Sequence, residues 1–139
     1  MTVMTKTIHV KTRGNGDMLD ITDQLEKEIN TSNVDSGLAT IFVAGSTAGV
    51  TTIEYEGGVL SDYKAMCERN APSNIDYQHN LRWGDGNGFS HVRASLQGPS
   101  LAVPFVNKRL MLGTWQQIVV IDFDNRPRSR EIILQILGE

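Results

Sequence analysis

One cysteine, three histidines and two tryptophans are all that this 139-residue chain holds of those residue types, and it has no long apolar or basic run. Each scarcity excludes something. Cys67 has no partner within the chain, so there is no disulfide framework, and beside Met66 in a helical pattern it reads as a small buried hydrophobe. No stretch approaches the roughly 18 apolar residues of a membrane span. The opening Met1-Thr2-Val3-Met4-Thr5-Lys6 has no apolar stretch long enough for a signal peptide, so a cytoplasmic protein with no membrane contact is expected. Net charge is −3 and the basic residues are dispersed, which argues against a nucleic-acid partner, since such binding depends on neutralising many phosphates. The densest basic cluster, Arg126-Pro127-Arg128-Ser129-Arg130, reads as a solvated turn or, alternatively, an anion site. No segment recurs at a fixed period, which excludes a repeat protein. Length and the 40% hydrophobic share fit a single domain over residues 1–139 with a real core.

What is present reads first as alternating and helical patterns. Ile8, Val10 and Thr12 alternate with Thr7, His9 and Lys11, predicting a half-buried strand over Thr5 to Arg13 with His9 on its polar face. Ile21, Leu25 and Ile29 predict an amphipathic helix with Thr22 or Asp20 as N-cap. Gly37 to Ala44 is mostly apolar, as expected of a central strand covered on both faces. A strand from Val50 to Glu56 follows, with Glu54 in its interior as either a surface position or a carboxylate aimed into a site. Leu60, Tyr63, Met66 and Cys67 predict a helix over Val59 to Asn70, stopped by Ala71-Pro72. Later strands are expected at Leu101 to Val106 and Arg109 to Leu112, turning at Asn107-Lys108, with Pro104 marking an edge or bulge. Ile118 to Phe123 and Glu131 to Leu137 form the last predicted antiparallel pair.

The chemistry gathers between Tyr77 and Gln117, which holds two of the three histidines and both tryptophans. Tyr77-Gln78-His79-Asn80 has no clear period, which places His79 at a strand end or in a loop. Gly84, Gly86 and Gly88 make a tight turn, and Asn87 is a good N-cap for a helix over Gly88 to Gln97, with Gly98 as its stop. Asn87, His91 and Ser95 then share one face. A helix start after a glycine-rich turn is a natural anion site. His91, one turn in, can donate to a phosphate oxygen, move a proton or bind a metal. With His79 two imidazoles could converge, one or two ligands short of a closed zinc site; Asp85 or Glu54 could complete an open one, although the spacing matches no strong zinc motif. The plainer reading is a hydrogen-bonded, partly buried His91 on an ordinary capped helix. Trp115 is likewise either core packing or, beside Gly113, a wall that a ligand approaches.

The residues Tyr77-x-His79, Asn87-Gly88-x-Ser90-His91-x-Arg93-Ala94-Ser95-Leu96-x-Gly98, Pro104, Leu112-Gly113-Thr114-Trp115-Gln116 and Phe123-Asp124-x-x-Pro127-Arg128-x-Arg130 together resemble the secondary thiamine-phosphate synthase family, the YjbQ-like proteins. The resemblance implies an α+β fold, with antiparallel sheets packed against about three helices, assembled as a homotrimer. It implies a pocket where the histidine segments meet the Gly113-Thr114-Trp115-Gln116 turn, with a divalent metal, zinc or magnesium, or an anion bound there. The reaction it implies joins a hydroxymethylpyrimidine diphosphate to a thiazole phosphate with loss of pyrophosphate. His79, His91 and Glu54 would be catalytic, with His79 and His91 as metal ligands. Asn87, Gly88, Ser95, Gly113, Thr114, Trp115 and Gln116 would hold the substrate. Many members carry a histidine where this chain has Gly45-Ser46, and Glu54 is the residue that would act in its place. Two other functions fit the same residues: a metal-dependent enzyme on another small phosphorylated molecule, and a trimeric anion or metal binder without turnover.

Overall fold

The chain, described over residues 1–139 by a computed structural model, runs β1 (Thr2–Thr12), β2 (Asp17–Asp20), α1 (Thr22–Thr31), β3 (Gly37–Ala44), β4 (Ala48–Ile53), α2 (Gly57–Asn70), α3 (Gln78–Trp83), α4 (Gly88–Gln97), β5 (Ser100–Val106), β6 (Arg109–Leu110), β7 (Gln117–Asp122) and β8 (Arg128–Gly138). The strands form two sheets, one of five in the order β1-β8-β3-β5-β6 and one of three in the order β2-β7-β4, and every ladder is antiparallel. The fold is α+β, with four helices. No helix is long and apolar enough to cross a membrane.

Side-chain alternation explains the layering. On β8, Ile132, Leu134 and Ile136 point inward into one core with Ile118 and Val120 of β7, which Leu25 and Ile29 of α1 also join. Val119 and Ile121 point to the other side of β7, against Cys67 of α2 and Ala94 of α4. Both faces of β7 are therefore covered, which is why it reads as the unbroken run Ile118-Val119-Val120-Ile121. Burying each such side chain contributes about 1.5–3 kcal/mol.

Several expectations are corrected. The last two strands do not pair: β7 belongs to the small sheet and β8 to the large one, because residues 123–127 cross from one layer to the other. β3 is the middle strand of its sheet, yet its outer face is open, with Leu38 39% and Phe42 43% exposed. Leu38 lies opposite Leu137, itself opposite Val3, giving one exposed apolar row across three strands, with the polar row Thr40, Gln135 and Thr5 beside it. β4 stops at Ile53, leaving Glu54 exposed beyond the strand end, because Glu56 turns the chain into α2 by accepting the N–H groups of Gly58 and Val59. The α1 N-cap is Ile21; the Asp20 carboxylate instead accepts from the Thr22 N–H and hydroxyl. The Asn107-Lys108 turn is as expected, both residues adopting positive φ (51° and 62°) without a glycine.

Candidate functional site

His79 lies in the first turn of α3, not in a strand end or loop. Tyr77 is extended, and Gly84, at φ 72°, closes this six-residue helix, which is too short to show a period in the sequence. Gly88 then has a packing task. A Cβ there would stand 2.5 Å from the Cβ of Tyr77, so only glycine lets the lead into α3 lie across the start of α4. Asn80 Oδ1 accepts the Gly88 N–H at 2.9 Å, and the Ser90 hydroxyl donates to the Phe123 carbonyl. The start of α4 is thus buried, with its first N–H already engaged.

Asn87 occupies the N-cap position, but its side chain makes no cap bond. Its Nδ2 donates to Asp124 Oδ1 at 3.2 Å, and its Oδ1 lies 3.0 Å from His79 Nε2. That arrangement draws His79 onto His91: the ring centroids are 4.3 Å apart, with the planes tilted by 51°. Asp85 Oδ1 lies 3.3 Å from the same His79 nitrogen. Beside His91, residues including Gly45, Ser46 and Pro99 line an open depression of about 230 Å³. Ser95 shares that wall, though its hydroxyl turns back to donate to the His91 carbonyl at 2.8 Å.

Behind the imidazoles is a buried charge network. Asp124 accepts from Arg128 Nε at 2.8 Å, the Thr47 hydroxyl at 3.1 Å and the Asn125 N–H at 2.8 Å. Asp122 accepts from Arg130 Nε at 2.8 Å and Nη2 at 2.9 Å and from the Thr12 hydroxyl at 2.6 Å. Burial alone would push the Asp124 carboxyl up, but the donors from Asn87, Arg128, Asn125 and Thr47 outweigh it and hold the group at about 2. His91 is shifted the other way from a paired histidine. Burial and the neighbouring His79 push it down, with Asp124, Asp85 and the Ser46 backbone opposing. The second cause is plain repulsion: a positive charge on His91 is disfavoured by a ring 4.3 Å away that can also carry one.

Glu54 and the Gly113-to-Gln116 turn lie elsewhere. Gly113 N–H donates to Gln116 Oε1 at 2.8 Å, Gln116 reaches Thr52, and Trp115 is 71% exposed. In the small sheet Ala48 faces Asp122 and Ile53 faces Gln117, so the turn and the network sit at opposite ends of β4 and β7. Five strand steps put roughly 17 Å between them. Within one chain, His79, His91, Asn87, Gly88 and Ser95 come together, while Glu54, Gly113, Thr114, Trp115 and Gln116 gather at the far end. A more apolar cavity of about 280 Å³ between α2 and α4 is larger than the depression at His91 but holds no imidazole or carboxylate. Its one charged residue, Arg93, is committed to the Ala71 carbonyl and Glu68.

No three His, Cys, Asp or Glu side chains come together as a metal cage. The chain alone offers two imidazoles, which fits an open centre completed by water or substrate rather than a closed structural site.

The sequence alone did not point to Asp122, Thr47 or Asn80, and Arg128 and Arg130 read there as a solvated turn or an anion site, whereas they pair with buried carboxylates. One signal was available. Asp122 ends an apolar run, so its carboxylate is buried and needs a cation, and the basic cluster Arg126, Arg128 and Arg130 follows within eight residues.

With this geometry in view, the model of the YjbQ-like UPF0047 proteins matches residues 6–139. The chain belongs to that family. It is 34% identical over 139 residues to a UPF0047 protein of Methanothermobacter thermautotrophicus, covering 100% of this chain and 95% of the relative. Bacillus subtilis YugU is 35% identical over 136 residues, 97% of this chain and 100% of YugU. Among solved structures, a YbjQ-like protein of unknown function from Sulfolobus solfataricus superposes with a TM-score of 0.93 at 33% identity, covering 99% of both chains. A hypothetical protein from Aeropyrum pernix gives 0.90 at 32% identity, over 98% of this chain and 99% of its own. The family's fold is thereby this chain's fold from end to end.

Proposed function

We propose that His79 and His91 form a two-imidazole centre for one divalent cation, and that the centre serves an enzyme acting on a small phosphorylated molecule. The contact of the two rings at 4.3 Å, with Asp85 at their edge, carries this reading. Imidazole pairs suit zinc; magnesium prefers an all-oxygen set, which is lacking here. A cation bound at the pair would supply positive charge for a departing phosphate or pyrophosphate. The protein's own part is to orient His79 through Asn87, to receive substrate in the depression beside His91, and to hold or release a proton at the imidazoles. The specific reaction is the one the family resemblance implies: hydroxymethylpyrimidine diphosphate joins a thiazole phosphate, and pyrophosphate leaves.

We further propose that Trp115, its neighbours Gly113, Thr114 and Gln116, and Glu54 serve this centre from an adjacent copy in a homotrimer. The exposure of Trp115 and of the apolar row Val3, Leu137 and Leu38, with Phe42 nearby, supports that placement. The deciding assay is formation of thiamine phosphate by zinc-loaded protein against His91→Ala. Product at the His91→Ala background removes the transferase reading. If phosphate esters raise the melting temperature with no product, the chain is a binder, since binding to the native state alone stabilises by mass action.

A further inference from the structure

We infer that Asp124, acting through Asn87, fixes the tautomer of His79, so that Nε2 carries the proton and Nδ1 keeps the lone pair. Nδ1 is then the atom that His79 presents to a cation. The assignment rests on the two-imidazole reading for its use, but the tautomer exists whether or not a metal binds.

Donor and acceptor chemistry leaves one solution. Asp124 receives Arg128 Nε, the Thr47 hydroxyl and the Asn125 N–H, all of them donors, so it stands as an ionised carboxylate that can only accept. The Asn87 atom 3.2 Å from it must therefore be the NH₂ group; the flipped amide would set oxygen against oxygen in a buried site. That leaves Asn87 Oδ1 facing His79 Nε2 at 3.0 Å. An amide oxygen has no proton to give, so the proton sits on Nε2. Asp85 offers a second acceptor to the same nitrogen at 3.3 Å, and no protein group bonds Nδ1. Asn87 is buried and cannot trade this arrangement for water. Without the Asp124 carboxylate its amide could flip, present NH₂ to the ring and reverse the tautomer. Asn87 and Asp124 are thus positioning residues, with Asp124 one bond further back.

The test is a long-range ¹H–¹⁵N correlation spectrum of the imidazoles in chelator-stripped, full-length protein at a pH where both rings are neutral. Wild type is expected to show His79 as a single tautomer, protonated at Nε2. Asp85→Ala should leave that pattern intact, whereas Asn87→Ala and Asp124→Asn should give averaged, mixed tautomers. A wild-type His79 protonated at Nδ1, or mixed, overturns the assignment without need of any variant. An Asn87→Ala spectrum as pure as wild type also overturns it, because Asp85 would then be the group in control. A zinc titration of Asn87→Ala separates this from the metal reading. The expected loss is about 10–100-fold in affinity, as for other groups that orient a metal-binding histidine. If wild type binds no zinc yet keeps the Nε2–H tautomer, the metal reading fails and this one stands.

Discussion

The two ends of the small sheet differ in kind. At the Asp122 end of β7, two carboxylates with no exposure are bound by two arginines, two threonines and an asparagine, and imidazoles stand on top. At the Gln117 end, side-chain amides lie at the surface and Trp115 stands largely exposed. One end has its polar groups satisfied within the chain; the other presents exposed apolar area to solvent. The contrast teaches that a motif continuous in resemblance can be split in space, with the imidazoles and their buried charges at one end of β4 and β7 and the exposed Trp115 turn at the other.

The largest effect should come from Asp124→Ala, which strands Arg128 and Arg130 beside a single remaining carboxylate. We expect a loss of about 3–5 kcal/mol in urea unfolding. A loss under about 1 kcal/mol would mean that water reaches the network.

Acid should attack the same end. The unfolded chain takes a proton on this aspartate near 3.8 and the folded one only near 2, so between those values the unfolded state binds more protons. The stability from Asp124 is present above pH 4 and is lost as pH falls towards 2, about 2 kcal/mol in all. His91 adds a milder slope of the same sign. Its folded value lies below 6.5, so stability begins to fall once pH drops through 6.5. Denaturant midpoints across pH 2–8 test both: below pH 4 the fall should be shallower in Asp124→Asn than in wild type, with the remaining slope coming from Asp17, Glu56 and Glu68, whose carboxyls are also held low. An unchanged slope would contradict the assignment.

Gly45 ties the network to the depression at His91. At φ 147°, a Cβ on Gly45 would also sit 2.7 Å from Arg130 Nη1, so Gly45→Ala should cost about 1–3 kcal/mol. The smallest change in stability belongs to the other end. Trp115→Ala should alter monomer unfolding by no more than about 0.5 kcal/mol, yet weaken self-association or turnover. A large loss of stability at unchanged assembly would show that Trp115 packs within its own chain.

Much of the fold was legible because its strongest signals are local. The alternation at Thr7 to Thr12, the four-residue spacing of Ile21, Leu25 and Ile29, and the glycine-bounded helix at Gly88 to Gln97 all stand where expected. What failed depends on contacts distant in sequence. Nothing local tells that β7 and β8 join different sheets, or that Arg130 turns inward to meet Asp122. At the site, His79 and His91 were paired by residue type, and that pairing stands. The link from His79 through Asn87 to Asp124 was not legible, because Asn87 reads as a cap by every local rule while its amide is claimed by Asp124, 37 residues away.

The most direct test of the central claim is calorimetric titration of zinc into the chelator-stripped protein, with the His79→Ala/His91→Ala variant alongside. One zinc per chain in wild type and none in the variant is the predicted result. Binding that persists undiminished in the variant, or none in wild type, would contradict it.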